Sequence, residues 1–250
     1  MKNFIIVGTQ RTGSSALGEA IAFHSKVVCG WEWTERVSRK NKIPFAQRAL
    51  MGDFSHLADM HKKHMADNFN SNLQWLGYRR LFGSSDKWIF HPKYSIKSWL
   101  DQLNDHIKWF RSCPDLHIIH IVRHNNIEWL KSKYVARKAG SFVGKAYPKD
   151  IKVKIPISAA VRRLQAKKWI DDQLALLERS NPYLQLSYES LSEGMDGMLA
   201  SMLEFLKCAP EVSIKSGGMI KKQSNKRPQE YIENYEELVT QLELLDLLKY

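Results

Sequence analysis

The chain has 250 residues, 44% of them hydrophobic, so it can bury the core of one large domain and is not expected to be disordered. Its 38 Lys and Arg against 26 Asp and Glu give a formal charge of +12, which favours an anionic partner: nucleic acid, a membrane surface, or a phosphorylated or sulfated small molecule. Cys29, Cys113 and Cys208 lack CxxC or Cys/His metal spacing, which predicts neither a disulfide framework nor a zinc site and fits a reducing compartment.

The first predicted element is a short buried strand at residues 4–7. A glycine-containing turn follows, and then a helix with Leu17 and Ile21 on its apolar face. The apolar run is too short for a signal peptide or a membrane anchor, and no later apolar stretch approaches ~20 residues. We therefore expect a cytoplasmic protein without stable membrane insertion.

The later elements alternate between helices and strands. We predict a loop with a short helix at residues 29–48, helices at 56–76 and 96–110, and strands at 88–90, 116–122 and 183–187. Asn125 or Asn126 is expected to cap a helix, and further helices are predicted from Ser158 to Leu177, at 192–207 and at 230–248, with an exposed basic flap at 140–156. This alternation predicts an α/β domain with three layers, a central and mainly parallel sheet flanked by helices.

Residues 8–15 form the first motif, a phosphate-loop-like turn between the first strand and the first helix. Two glycines five positions apart precede the helix, so backbone N–H groups and the helix N-terminus can face an anion. A P-loop kinase or NTPase has GxxxxGK[ST], whose lysine reaches the phosphates. Here Ser14 takes the lysine position and the positive charge lies in the loop, at Arg11. The alternative is a tight glycine turn with a solvated Arg11.

The second motif is a strand that ends in Arg123. P-loop nucleotide hydrolases often place there an Asp that helps to hold magnesium. An arginine repels a metal ion and attracts a phosphate, which predicts a metal-independent site. Ser132 follows nine residues later, where its hydroxyl can share the same phosphate. The alternative is that Arg123 pairs with an acidic neighbour and that Ser132 is an ordinary helix-surface residue.

Together these motifs resemble those of sulfotransferases that depend on 3'-phosphoadenosine-5'-phosphosulfate (PAPS). Residues 4–17 resemble the family's 5'-phosphosulfate loop, and residues 120–132 resemble its 3'-phosphate motif, in which an Arg and a helical Ser hold the phosphate. The Arg-to-Ser spacing is most similar to that of bacterial glycolipid and Nod-factor-type sulfotransferases. Residues 186–191 resemble the Tyr-Glu-x-Leu segment of the family, and residues 232–238 resemble the C-terminal helix of bacterial members.

The resemblance implies a single P-loop-like domain over residues 1–250, with variable acceptor-site segments at about 36–85 and 137–157. It implies sulfuryl transfer from PAPS to a hydroxyl of a carbohydrate or other small-molecule acceptor, with release of 3',5'-adenosine bisphosphate (PAP) and without a metal ion. The donor-binding residues that it implies are Gln10, Arg11, Thr12, Gly13, Ser14, Ser15, Arg123, Ser132 and Lys222. Lys222 belongs to a basic run that resembles a loop closing over the 3'-phosphate in relatives.

The resemblance also gives Arg11 a catalytic role, the stabilisation of charge on the leaving phosphate oxygen. The general base stays open among Glu32, His91 and Glu35. His91 follows a predicted strand, as the catalytic His of the cytosolic branch does, whereas Glu32 follows the first helix, as the base of Glu-type members does. Glu32 is preferred, with Glu35 in reserve, because the bacterial branch that fits the second motif best tends to use Glu. Each of these side chains also has a structural explanation, a strand-end histidine or an ion pair with a nearby arginine.

Two other function classes fit parts of the sequence. A P-loop kinase or NTPase fits the glycine loop, but the missing lysine and Arg123 count against it. A nucleic-acid-binding protein fits the positive charge, but no recognised binding motif is present and the basic residues are spread along the chain. We therefore expect a small-molecule or carbohydrate partner and no nucleic acid.

Overall fold

The computed structural model describes residues 2–21, 24–29, 75–82, 96–140, 147–148, 150–210 and 226–248. The strands in these residues are β1 (Lys2–Thr9), β2 (Val27–Cys29), β3 (Trp75–Phe82), β4 (His117–Val122) and β5 (Tyr183–Ser187). They pair in parallel as one five-stranded sheet in the order β2-β3-β1-β4-β5, so β1 is central.

Helices connect the strands and cover both faces of the sheet. The described helices are α1 (Ser14–Ile21), α2 (Ile96–Arg111), α3 (Asn126–Ala139), α4 (Ile157–Ala175), α5 (Tyr188–Glu193), α6 (Met195–Phe205), α7 (Pro228–Tyr231) and α8 (Tyr235–Leu244), with a 3-10 turn at Leu176–Arg179. The predicted α/β architecture, a parallel sheet flanked by helices, is confirmed. None of the described helices combines the length and the apolar character needed to cross a bilayer.

The central strand β1 supplies core residues to both faces of the sheet. Phe4 and Ile6 pack with α1 and α6 on one face, and Ile5 and Val7 pack with α2 and α4 on the other, because successive side chains of a strand point to opposite faces. A separate apolar cluster joins α3 and α4 to α7 and α8. The C-terminal helices are therefore packed against the helix that follows β4.

The topology brings the carboxyl ends of β1 and β4 together. Gly8 pairs with Ile121 in register, so the loops after the two strands meet at one edge of the sheet. Gly8 permits this approach, because a Cβ at that position would lie 2.5 Å from the carbonyl oxygen of Ile121. The chain runs from β1 to β2 and β3 on one side and places β4 and β5 on the other, and ligands bind at such a reversal of strand order.

Several predicted elements are confirmed near their predicted bounds. The strand predicted at 116–122 is β4, the one at 183–187 is β5, and the helix at 96–110 is α2. Asn125, not Asn126, caps α3, and its side chain accepts a hydrogen bond from the Glu128 N–H at 2.9 Å. The element that carries Ser132 therefore begins directly beyond Arg123.

The strand β3 was not predicted. The helix expected at residues 56–76 is wrong at its last two positions, which belong to β3, and Cys29, expected in a loop, ends β2. Arg79 and Arg80 obscure β3 in the sequence, since a central parallel strand is ordinarily an apolar run. Backbone pairing with β1 and β2 stabilises the strand regardless. The expected loop at 30–48, helix at 56–74 and strand at 88–90 lie outside the described residues.

The expected flap at 140–156 is wrong at its C-terminal end. Val153 and Ile155 are 5% and 0% exposed, and Val153 pairs in parallel with Ile232. That extended pairing also interrupts the helix predicted at 230–248, which is split into α7 and α8. The end of this basic segment therefore packs against α7 and α8 through the buried side chains of Val153 and Ile155.

Two helix boundaries also differ from the prediction. Ser158 does not cap α4, because the helix begins at Ile157 after Pro156, whose fixed φ suits the residue that precedes a helix. The helix predicted at 192–207 is α6, which begins at Met195 after the extended backbone of Gly194, and residues 192 and 193 belong to the preceding helix α5.

Candidate functional site

The loop after β1 has left-handed backbone at two positions, Arg11 with φ 69° and Gly13 with φ 82°. Glycine adopts this conformation without penalty, but arginine does so at a cost of about 1–3 kcal/mol, and such strain clusters at functional sites. The loop leads into α1 at Ser14, whose first N–H groups have no partner within the helix itself. The loop and the helix end together form a cradle suited to an anion.

Two hydrogen bonds fix this loop. The Thr12 hydroxyl donates to the Thr9 carbonyl oxygen at 2.8 Å. The indole Nε1 of Trp129, in α3, donates to the Gln10 carbonyl oxygen at 2.7 Å. The loop after β1 is therefore tied to the helix after β4, so the two predicted motifs form one structural unit.

The Arg11 side chain crosses from the first motif to the second. Its Nε donates to the Ser132 hydroxyl oxygen at 2.9 Å, and one terminal nitrogen donates to the Tyr147 hydroxyl at 3.1 Å. The Tyr147 hydroxyl in turn donates to the Ser132 carbonyl oxygen at 3.4 Å. Burial raises the pKa of Tyr147, and the nearby Arg11 opposes that shift. The Arg11 side chain is thus fixed by hydrogen bonds to Ser132 and Tyr147, so the alternative of a merely solvated arginine is wrong.

Arg123, at the end of β4, is only 3% exposed. One terminal nitrogen donates to the Arg11 carbonyl oxygen at 3.1 Å, and the other donates to a Glu128 carboxylate oxygen at 3.2 Å. The guanidinium lies over the Tyr188 ring, 3.9 Å from its centroid. Burial lowers the pKa of Arg123, and Tyr188, Glu128 and Glu189 oppose that shift. The group stays cationic, because an arginine is effectively always protonated in proteins.

Glu128 connects Arg123 to a second buried cation, Lys131. The Lys131 Nζ lies 2.7 Å from one Glu128 carboxylate oxygen and 2.9 Å from the other. It also donates to the carbonyl oxygen of Lys226, just before α7, at 3.2 Å. The alternative for Arg123 required an acidic neighbour, and Glu128 is that residue. Because Arg123 and Lys131 share this one carboxylate, the three groups together carry a net positive charge.

Glu189 shapes the loop that carries Arg123. Its carboxylate accepts the backbone N–H groups of Asn125 at 2.9 Å and His124 at 3.2 Å, and the Ser187 hydroxyl at 2.8 Å. Burial acts to raise the pKa of Glu189, but these hydrogen bonds together outweigh it and lower the pKa. Glu189 therefore acts as a permanent anionic anchor for the backbone after β4.

The described residues include eight of the predicted donor-binding side chains: Gln10, Arg11, Thr12, Gly13, Ser14, Ser15, Arg123 and Ser132. Arg11 and Ser132 are brought into direct contact, whereas Arg123 reaches the Arg11 backbone. Glu32, Glu35, His91 and Lys222 lie outside the described residues. Within the described part of the chain, no group of three or more His, Cys, Asp or Glu side chains is placed to hold a metal ion.

Sequence reasoning assigned no site role to five residues of this cluster: Glu128, Lys131, Tyr147, Tyr188 and Glu189. Glu128 and Lys131 are three positions apart and so share one face of α3. This spacing could have predicted their ion pair. Tyr188 and Glu189 are marked in the sequence only by their resemblance to the Tyr-Glu-x-Leu segment. Tyr147 has no local signal, since its partner Arg11 lies 136 positions away in the sequence.

Comparison with known proteins gives a consistent match over most of the chain. The sequence model of the sulfotransferase family matches residues 3–211, which include both motifs. No curated protein sequence matches significantly. Similar solved structures include a sulfotransferase from Alicyclobacillus acidocaldarius, with 14% identity, 98% of this chain and 95% of that chain covered, and a TM-score of 0.43.

Two further solved structures show similarity of the same degree. One is the sulfotransferase domain from the curacin biosynthetic pathway, with 15% identity, 98% of this chain and 90% of that chain covered, and a TM-score of 0.45. The other is the sulfotransferase domain from the olefin synthase of Synechococcus PCC 7002, with 16% identity, coverages of 95% and 84%, and a TM-score of 0.44.

Proposed function

Because the chain belongs to the sulfotransferase family, we propose that it transfers a sulfuryl group from PAPS to a hydroxyl of a carbohydrate or other small-molecule acceptor and releases PAP. The observation that carries the proposal is the joining of the two motifs. Arg123 donates to the Arg11 carbonyl at 3.1 Å, and the Arg11 side chain donates to Ser132 at 2.9 Å. The residues expected to hold the 5'-phosphosulfate therefore adjoin those expected to hold the 3'-phosphate.

Arg11 has the leading chemical role in this proposal. Sulfuryl transfer builds negative charge on the leaving phosphate oxygen, so the protein must place donor and acceptor in line and stabilise that charge, as in phosphoryl transfer. The Arg11 guanidinium, the first N–H groups of α1, and the hydroxyls of Ser14 and Ser15 supply positive charge and hydrogen-bond donors. Ser132 and Tyr147 engage the Nε and one terminal nitrogen of Arg11, and a guanidinium has five N–H donors in all, so Arg11 can contact the donor while both hydrogen bonds are kept.

Arg123 and Ser132 are proposed to recognise the 3'-phosphate, with Lys222 from the basic C-terminal run. Glu32 is proposed as the base that accepts the proton of the acceptor hydroxyl, with His91 and Glu35 as alternatives. The closeness to Nod-factor-type enzymes, the cytoplasmic location and the metal independence of transfer remain predictions from the sequence.

A thermal-shift titration tests the identity of the donor. We expect PAP to stabilise the protein more than AMP or ATP with magnesium, by about 2.7 kcal/mol at a hundred times its Kd, or about 5–10 °C for a domain of this size. Arg123→Ala should remove most of this shift, and Ser132→Ala should reduce it. Arg179→Ala, an exposed arginine after α4, is the matched control. Equal shifts with all three nucleotides would contradict the proposal.

A rate measurement tests the role of Arg11. Arg11→Ala is expected to lose on the order of 100-fold or more in the rate of sulfuryl transfer with the donor saturating, as measured removals of one charge-stabilising donor do. An Arg11→Ala protein that binds PAP and retains the full rate would refute the catalytic assignment while leaving donor binding intact.

A further inference from the structure

The Glu128 carboxylate lies in a position suited to a bound anion. It is 3.2 Å from an Arg123 terminal nitrogen and 2.7 Å from the Lys131 Nζ. Both cations are buried, at 3% and 4% exposure, whereas 25% of the Glu128 side chain is exposed. Of the three side chains, that of Glu128 is the one with appreciable access to solvent and therefore the one best placed to move away.

We propose that Glu128 is a resident counter-anion of the 3'-phosphate subsite. It neutralises Arg123 and Lys131 before the donor binds, and the 3'-phosphate of the donor displaces it. This inference rests on the proposed function. It adds Lys131 to the phosphate-binding residues and gives Glu128 the role of a competitor that a ligand must displace.

The charges explain why a phosphate monoester can displace the carboxylate. A phosphate monoester carries about 1.5–2 negative charges at neutral pH and three acceptor oxygens, whereas Glu128 carries one charge. Two buried cations are therefore better neutralised by the phosphate. A nucleotide with a free 3'-hydroxyl brings no such charge and leaves the carboxylate in place, so Glu128 adds discrimination against it.

Contacts elsewhere around Arg123 indicate that Glu128 is not needed to hold its guanidinium. The guanidinium lies over the Tyr188 ring at 3.9 Å and donates to the Arg11 carbonyl at 3.1 Å. The Glu128 backbone is fixed by the Asn125 cap at 2.9 Å. A rotation of the Glu128 side chain therefore suffices to open the subsite, while α3 and Arg123 stay in place.

Isothermal titration with PAP tests the inference through Glu128→Gln, which keeps the shape of the side chain and removes its charge. We expect Glu128→Gln to bind PAP about tenfold more tightly than the wild type, with the affinity for AMP unchanged. Lys131→Met should bind PAP at least tenfold more weakly, because a buried cation facing the phosphate is lost. Asp172→Asn removes one charge from an exposed ion pair with Lys168, and its effect should stay below about twofold.

The outcomes separate this inference from the proposed function. If the folded wild type does not bind PAP, the proposed function fails and this inference fails with it. If the wild type binds PAP but Glu128→Gln binds equally or more weakly, only this inference is overturned, and the carboxylate positions Arg123 instead. Glu128→Asp, which keeps the charge on a shorter side chain, should bind PAP at least as tightly as the wild type, and weaker binding would count against displacement.

Discussion

Gly8→Ala tests whether the close approach of β1 and β4 shapes the site. A Cβ at Gly8 would lie 2.5 Å from the Ile121 carbonyl oxygen and 3.4 Å from the Thr12 hydroxyl oxygen. Favourable contacts between a carbon and a carbonyl oxygen begin at about 3.3 Å, so the two strands must separate locally. Both loops of the candidate site begin within a few residues of this point and would move with the strands.

The expected cost is about 3 kcal/mol, near the upper end for overpacking, because the obstructing atom belongs to the backbone. For a domain of this size, that corresponds to a Tm lower by about 6–12 °C, measured by differential scanning calorimetry. PAP affinity should fall as well, by about tenfold, because the loop and Arg123 no longer keep their spacing.

Gly197→Ala is the matched control, since a Cβ at that exposed position in α6 meets nothing within 4 Å. Alanine favours the helix by up to about 1 kcal/mol over glycine, so this variant should be at least as stable as the wild type. If Gly8→Ala unfolds within about 2 °C of the wild type, a shift that corresponds to about 1 kcal/mol or less, the strands do not meet as described and the reasoning is refuted.

Two further substitutions address the backbone around the site. Glu189→Gln should lower the free energy of unfolding by about 1–2 kcal/mol at pH 7, since an amide cannot accept all the hydrogen bonds of the carboxylate. The pKa of Glu189 is lowered in the folded state, so its charge stabilises the fold at pH values above the unfolded pKa of about 4.3, and this contribution is lost as the pH falls through the folded pKa. Urea unfolding should therefore show that the deficit in unfolding free energy of Glu189→Gln shrinks in acid. A deficit that stays constant with pH would contradict this prediction. Trp129→Phe removes the donor to the Gln10 carbonyl and should cost about 1 kcal/mol with several-fold weaker PAP binding; unchanged binding would show that the loop does not depend on this hydrogen bond.

The sequence predicts β1, β4 and β5 but misses β2, which has only three residues, and β3, which is not an apolar run. Residues 4–7 of β1 and four of the six residues of β4 are apolar, as expected for strands covered by helices on both sides. In β3, Arg79 and Arg80 remove that signal, and the strand forms because β1 and β2 supply its backbone partners. Pairing between distant segments is not encoded in local composition.

The same distinction applies to the site. Arg11 and Arg123 are recognisable because each follows a strand end in a known motif. In the sequence, Glu128 and Lys131 have the pattern of an ordinary exposed pair on a helix, whereas in the fold Lys131 is buried and α7 and α8 pack against α3. Tyr147 contacts Arg11 although 136 positions separate the two residues in the sequence. Local sequence does not specify burial at these positions, yet burial determines the free-energy cost of leaving these charges unpaired.

The two carboxylates near Arg123 have different attachments, and this difference gives them opposite expected effects on donor binding. Glu189 accepts hydrogen bonds from a fixed backbone loop, so its removal loosens the loop that presents Arg123 and should weaken PAP binding. Glu128 contacts the cations themselves, so its removal leaves two buried charges for the 3'-phosphate of PAP to neutralise and should strengthen binding. A general field effect would move both variants in the same direction, because each loses one negative charge near the same guanidinium. Opposite shifts in PAP affinity would therefore show that geometry, and not net charge, determines how this site receives its anion.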